Sequence, residues 1–199
     1  MCGLLFKKEL IPRLKEAEEG KRQLFFVDAS HFVFSALIGY LWTKVRRFVK
    51  GAHGRKRFNV LGAINPFTLT LLYEVNDGYV NAETVCQLLR KITKRGFKHP
   101  ITVVLDNARY QRCRLVQDLA TSLNIELLFL PSYSPNLNLI ERYWKYLKGK
   151  LFRCRSIEKF ELFCTSIVDI LNDRSAERGE ELATLLAPNF QMFDETVIC

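Results

Sequence analysis

No CxxC pair occurs in these 199 residues, and no histidine stands at zinc-finger spacing beside a cysteine; Cys2, Cys86, Cys113, Cys154, Cys164 and Cys199 are scattered. Their distribution argues against a zinc ribbon or a disulfide framework and reads as reduced thiols. No apolar run approaches the length that spans a bilayer. The opening MCGLLFKKELIPRLKEAEEG is too short in its apolar part, and too soon charged, to be a signal peptide. Acid is also missing from one long stretch: nothing acidic stands between Asp28 and Glu74, while Lys44, Arg46, Arg47, Lys50, Arg55, Lys56 and Arg57 fall inside it. There is no internal repeat and no low-complexity tract.

What is present fits one globular domain. A hydrophobic content of 48% over 199 residues is enough for a single sizeable core. The formal net charge of +9 and pI near 9.3 favour a polyanionic partner, nucleic acid first, because lysines and arginines placed on phosphates release condensed counterions. A merely basic soluble protein is the alternative. The acid-free cluster around Gly51 and Gly54 is the best candidate for a DNA-backbone patch, since like charges without compensating acids repel one another.

The periodicities predict a mixed sheet. Residues 4–20 read as a short surface helix ending at Gly20, or a linker. LFFVDA reads as a buried strand, followed by a turn at Ala29 and Ser30 and a second apolar stretch, HFVFSALIGYLW. RFNVLGAI and LTLLYEV are two further strands joined at Asn65 and Pro66, and the short connections make all three antiparallel neighbours. From residue 81 the spacing of Val85, Leu88, Leu89 and Ile92 is helical until Gly96. ITVVLD, RLVQDLATSL and IELLFLP then alternate as strand, helix, strand, which demands parallel pairing. Helices at 137–151 and 156–172 complete an α/β fold of ribonuclease H-like outline: a five-stranded sheet, three antiparallel then two parallel strands, flanked by helices. Residues 1–21 are expected to be a linker or short helix, 22–172 the domain, and 173–199 a tail in which the cluster NDRSAERGEE is a loop and LATLLAPNFQMF a loosely packed segment.

Three acids are out of place in this pattern. Asp28 and Asp106 each follow a hydrophobic strand, and Glu141 sits early in an amphipathic helix beside Leu137 and Trp144. A carboxylate in such a position is costly unless it is hydrogen-bonded or bound to a cation. Hard oxygen ligands suit Mg²⁺ or Mn²⁺, and a pair of such ions activates a water or hydroxyl for phosphodiester chemistry. Each acid has a plainer reading: Asp28 as a turn residue, Asp106 with Asn107 as a helix cap, Glu141 as the partner of Asn138 in a capping box.

VLDNA around Asp106 and LPSYSPNLNLIERYWKYLK around Glu141, with thirty-four residues between the two acids, resemble the catalytic domain of DDE transposases of the mariner-like insertion-sequence superfamily, the DDE superfamily endonucleases, over residues 22–150. The resemblance implies that Asp28, Asp106 and Glu141 are both the catalytic and the metal-binding residues, holding two Mg²⁺ or Mn²⁺ ions. It implies DNA as partner, both transposon ends and target, and a homodimer in the active complex. The expected site is cytoplasmic and nucleoid-associated.

Two positions depart from the family's pattern: Gln111 where histidine is common after DNARY, and Leu139 where proline is common before Ile140. Relatives also carry about a hundred residues of helix-turn-helix before the first aspartate, whereas about twenty-seven precede Asp28 here. A truncated, noncatalytic DNA-binding or dimerising fragment that regulates a full-length enzyme is therefore one alternative. A ribonuclease H-like nuclease or resolvase that cuts without joining is another.

Further candidates surround the acids. Arg142, Lys145, Lys148 and Lys150, with Arg153 and Arg155, form a second basic patch. Asn107, Tyr133 and Asn136 are placed near the active site, the last two also serving as turn residues. Trp42 either stacks on a base or packs. His31, His53 and His99 have no ligand-like spacing and are assigned no metal.

Overall fold

In the computed structural model, residues 6–34, 56–76, 78–131, 137–153, 159–173 and 175–188 are described. A π-helical turn, Phe6–Leu10, leads into α1 (Ile11–Glu18), and the chain then enters β1 (Gln23–Phe34). β2 (Lys56–Ile64) and β3 (Leu71–Asn76) follow, then α2 (Ala82–Thr93), β4 (Ile101–Leu105), α3 (Arg114–Ser122) and β5 (Ile125–Phe129). α4 (Ile140–Arg153), α5 (Phe160–Asn172) and α6 (Ala176–Leu186) complete the described elements.

The strands form one sheet in the order β3-β2-β1-β4-β5. β1, β2 and β3 pair antiparallel, and β1, β4 and β5 pair parallel. This is the expected ribonuclease H-like arrangement. Strand alternation sends Phe26, Phe32, Val60 and Ile64 to one face, where α1, α4, α5 and α6 cover them. Phe25, Val27, Leu61 and Ala63 go to the other, under α2 and α3. A sheet buried on both faces explains why ITVVL is apolar throughout rather than alternating.

Two expectations are corrected. No turn interrupts β1 at Ala29 and Ser30: both continue the ladder, opposite Leu61 and Val60, and the strand runs on until Phe34. The period-two burial of Phe32 and Phe34 against exposed His31 and Val33 is the strand signal that a pair of small residues had masked. Residues 176–186 are helix rather than loop: α6 is capped by Ser175, whose side chain accepts from the Arg178 N–H, and it buries Leu182 and Leu186 in the core. Its third buried residue is Arg178, which donates to the Tyr143 hydroxyl at 2.8 Å, so the apolar stripe is broken by a charge and does not look helical in sequence.

Candidate active site

β1 and β4 fix the first two acids relative to each other. Their last paired residues are Val27 and Leu105, so Asp28 and Asp106 are the next residue on each of two adjacent parallel strands. Neighbouring strands lie about 4.8 Å apart, which brings the two side chains within reach of one another. Asp106 caps nothing, since α3 begins only at Arg114 with Cys113 before it. Asp28 is not in a turn; it pairs with Gly62 across the β1–β2 ladder.

The third acid arrives on α4, and the start of that helix is tied to the strand ends by Asn138. Its Nδ2 donates to Asp106 Oδ1 at 3.1 Å and to the Val27 carbonyl at 3.2 Å. Its Oδ1 is buried with no partner, so the capping box with Glu141 does not form; only the backbone bond from Glu141 N to Asn138 O, 3.1 Å, is made. Gly62 allows α4 to come close to the sheet. A Cβ there would stand 2.7 Å from Trp144 Cη2, closer than real packing allows, and a tight 3.1 Å from Ile140 Cδ1.

The electrostatics follow from this crowding. Burial, then the Asp106 charge, and more weakly Glu141, push the Asp28 carboxyl up to about 7, although the Ala29 backbone N–H favours the ionised form. The Trp144 indole N–H is near enough to assist that form, yet it falls short of a full hydrogen bond and has no other partner. Burial, and after it the charges of Asp28 and Asp106, push the Tyr110 phenol up. Among the described residues none of the three acids is in an ion pair.

Such a donor set fits a hard divalent cation: oxygen ligands only, with mutual repulsion that no cationic side chain among the described residues relieves by an ion pair. As they stand, no three His, Cys, Asp or Glu side chains among the described residues close on one metal position. The acids are thus an open cluster that a cation would draw together, rather than a finished coordination sphere.

The basic candidates divide. Lys44, Arg46, Arg47, Lys50 and Arg55, with Trp42, His53, Tyr133, Asn136 and Arg155, lie outside the described residues, and of Arg153 only the backbone is described. Lys56 and Arg57 are exposed at the start of β2. Lys145 and Lys148 are exposed on α4, with Lys148 Nζ 5.8 Å from the centre of the Phe32 ring. Arg142 instead donates to the Leu185 and Ala187 carbonyls at the end of α6, at 3.3 and 2.9 Å, and Lys150 pairs with Glu181 at 3.0 Å. Asn107 is exposed next to Asp106.

Sequence reasoning missed Asn138 as a clasp, Tyr110 as a group that feels the charge of the acids and Gly62 as the point of close approach. Only the last had a readable signal, a lone glycine inside a strand pattern. Gln111, a departure from the family's pattern, is fully buried; its amide makes no full hydrogen bond among the described residues, although it is near enough to Tyr110 to favour the ionised phenol.

Comparison with known proteins agrees with this architecture. The Mos1 mariner paired-end complex with Mn superposes with a TM-score of 0.61 at 17% identity, covering 93% of this chain and 61% of that one. The isolated Mos1 catalytic domain gives 0.52 at 16%, covering 92% and 91%. A simian T-cell lymphotropic virus intasome gives 0.55 at 14%, covering 89% and 60%. The chain therefore spans about 61% of the Mos1 chain in its transpososome and nearly all of the catalytic domain. Curated protein sequences give no significant match. The sequence model described as DDE superfamily endonuclease matches residues 23–164, a span that contains Asp28, Asp106 and Glu141, and the chain belongs to that family.

Proposed function

We propose that this domain breaks and rejoins DNA phosphodiesters, with Asp28, Asp106 and Glu141 holding two Mg²⁺ or Mn²⁺ ions. The observation that carries the reading is the meeting of Asp28 and Asp106 at the ends of adjacent parallel strands, with Asn138 tying Asp106 to the helix of Glu141. When bound, the ions neutralise charge on the phosphate and make a water or hydroxyl a stronger nucleophile. Water attacks a phosphodiester at a transposon end and releases a 3′-hydroxyl; that hydroxyl then attacks a target phosphodiester and displaces a second 3′-hydroxyl.

The chain's own residues do the positioning. The aspartates are fixed by the sheet, Glu141 by the packing of α4, and Asn138 holds the Asp106 carboxylate in one orientation. Lys145 and Lys148, on the same helix as Glu141, draw the DNA backbone toward the acids. Two copies act together on paired ends.

The test is nicking of supercoiled plasmid by the purified protein in Mg²⁺ or Mn²⁺, against EDTA and against Asp106→Asn. Metal-dependent nicking that disappears in Asp106→Asn supports the reading. Retained DNA binding with no nicking in either metal replaces it with a DNA-binding or dimerising fragment.

A further inference from the structure

Beyond Asp28 the sheet narrows to a two-stranded ribbon. β1 leaves β4 after Val27 but stays paired with β2 to Phe34, and the far end of this ribbon carries a cleft of ≈ 710 Å³ lined by His31, Lys56, Arg57, Asn59, Gly78, Tyr79 and Phe160. That volume is within the usual range for a pocket that takes a small organic ligand. Alternation puts His31 and Asn59, which face each other in the ladder, on the opposite side of the ribbon from Asp28. Two residues of strand, Ala29 and Ser30, separate His31 from Asp28, three steps or about 10 Å along β1.

The cleft is built rather than incidental. Asn59 is 2% exposed, and its Nδ2 donates to the Gly78 carbonyl at 2.5 Å. That donation turns Oδ1 toward His31 Nδ1, also at 2.5 Å, so the hydrogen of a neutral imidazole sits on Nδ1 and Nε2 is left as its free acceptor. The Asn76 amide clasps the same turn from the other side, accepting from the Gly78 N–H and donating to the Tyr79 carbonyl at 3.1 Å. These bonds hold the backbone on which Tyr79 stands, yet the Tyr79 side chain covers nothing: the residue is 84% exposed, the most exposed of the large apolar residues described. Among the described residues Lys56 and Arg57 are in no ion pair, and Lys56 Nζ rests 5.2 Å from the centre of the Phe160 ring.

Cations for a backbone, an unused aromatic face and hydrogen-bonding groups fixed in orientation are the parts of a single-strand receptor, in which bases stack on rings and phosphates lie along positive charge. A duplex, its bases already stacked, would use the cations and leave Tyr79 idle. We infer that the cleft holds a nucleotide of unpaired DNA, its base on Tyr79 within reach of His31 and its phosphate on Arg57 and Lys56. The inference rests on the reading of the chain as a DNA-processing domain and adds that the strand next to the cut is taken single-stranded. The strand would reach the cleft over the edge of β1 that β4 leaves unpaired.

The experiment is fluorescence anisotropy of a short labelled oligothymidylate and of a duplex of equal length, using the full chain in EDTA, where no cleavage can occur. Tyr79→Ala should weaken single-strand binding about tenfold, in the range found for loss of one stacked base, and leave the duplex unchanged. Tyr79→Phe should bind as the parent does. Arg57→Ala should lower the salt dependence of single-strand binding by about one counterion. Equal loss for single strand and duplex, or no loss in Tyr79→Ala, overturns the inference, and thermal melting of each variant separates lost binding from lost folding. Nicking that survives with no effect of Tyr79→Ala on single-strand binding sinks the cleft alone. Single-strand binding that depends on Tyr79 without any nicking sinks the catalytic reading alone.

Discussion

Glu126 and Asp28 belong to the same sheet and are driven in opposite directions. At the end where the parallel strands begin, Glu126 accepts from Arg13, from Arg22 at 2.9 Å and from Thr102 at 2.7 Å. The Arg13 hydrogen bond is the largest influence, and the set holds the carboxyl at about 2. At the end where the strands finish, Asp28 is buried beside two more acids and sits near 7. One end satisfies its charge and gains stability; the other leaves charge unsatisfied and loses some. The same fold surrounds Glu126 with two arginines and, among the described residues, brings none into an ion pair with Asp28.

The sharpest way to break this comparison is to neutralise one carboxylate at each end. Asp28→Asn should lower metal-dependent nicking on the order of a thousandfold or more, whereas Glu126→Gln should leave nicking per folded molecule unchanged. Equal losses in the plasmid assay would erase the distinction between the two ends.

Stability should respond the other way round. Because the folded Asp28 carboxyl is raised above its unfolded value near 4, its contribution is favourable below about pH 4 and is lost as pH climbs through about 7. In EDTA at pH 8, Asp28→Asn should be more stable than the parent by an amount on the order of a few kcal/mol, the gap closing toward pH 4. Mg²⁺ should narrow the gap at pH 8 by stabilising the parent alone, which urea melts with and without the ion can measure.

Glu126 has the opposite sign. Its depressed carboxyl stabilises the fold above about pH 4.5, and that stability is lost as pH falls through about 2. Its side chain is 37% exposed, so solvent screening keeps the effect modest, and Glu126→Gln should cost about 1–2 kcal/mol at pH 7 and progressively less in acid. A deficit that persisted at pH 2 would show that packing, not charge, is what the mutation removes.

The smallest effect should come from the clasp. Asn138→Leu loses the bonds to Asp106 and Val27 but also removes a buried, unpartnered Oδ1, so stability should change by less than about 1 kcal/mol. Nicking should still fall about tenfold, because Asp106 is no longer held in one orientation. A large loss of stability with normal turnover would make Asn138 part of the fold alone.

Strand order, crossover helices and the three acid positions could be read from the sequence because each depends on local period and on one unusual residue at a strand end. The rest depended on contacts far apart in the chain. Nothing near Asn138 says that its amide will be spent on Asp106, thirty-two positions earlier. Arg178 disguises α6 because a buried guanidinium that donates to the Tyr143 hydroxyl and the Leu171 carbonyl looks like a surface residue in a polar run. β1 looked broken at Ala29 and Ser30 because small residues are common in turns, whereas here they keep the ladder with Leu61 and Val60.

Gly62 and Trp144 behave as a single unit of sequence. With 2.7 Å between a would-be Cβ and the indole, a side chain at position 62 requires the indole at 144 to shift or shrink. Enlarging position 62 lifts the helix that brings Glu141, and shrinking position 144 lets it settle into the space beside Asp28. Changing both together, a larger residue at 62 with a smaller one at 144, is the exchange that would keep the acids in register, so an engineer who wished to vary either should treat the pair as one site with a fixed total volume.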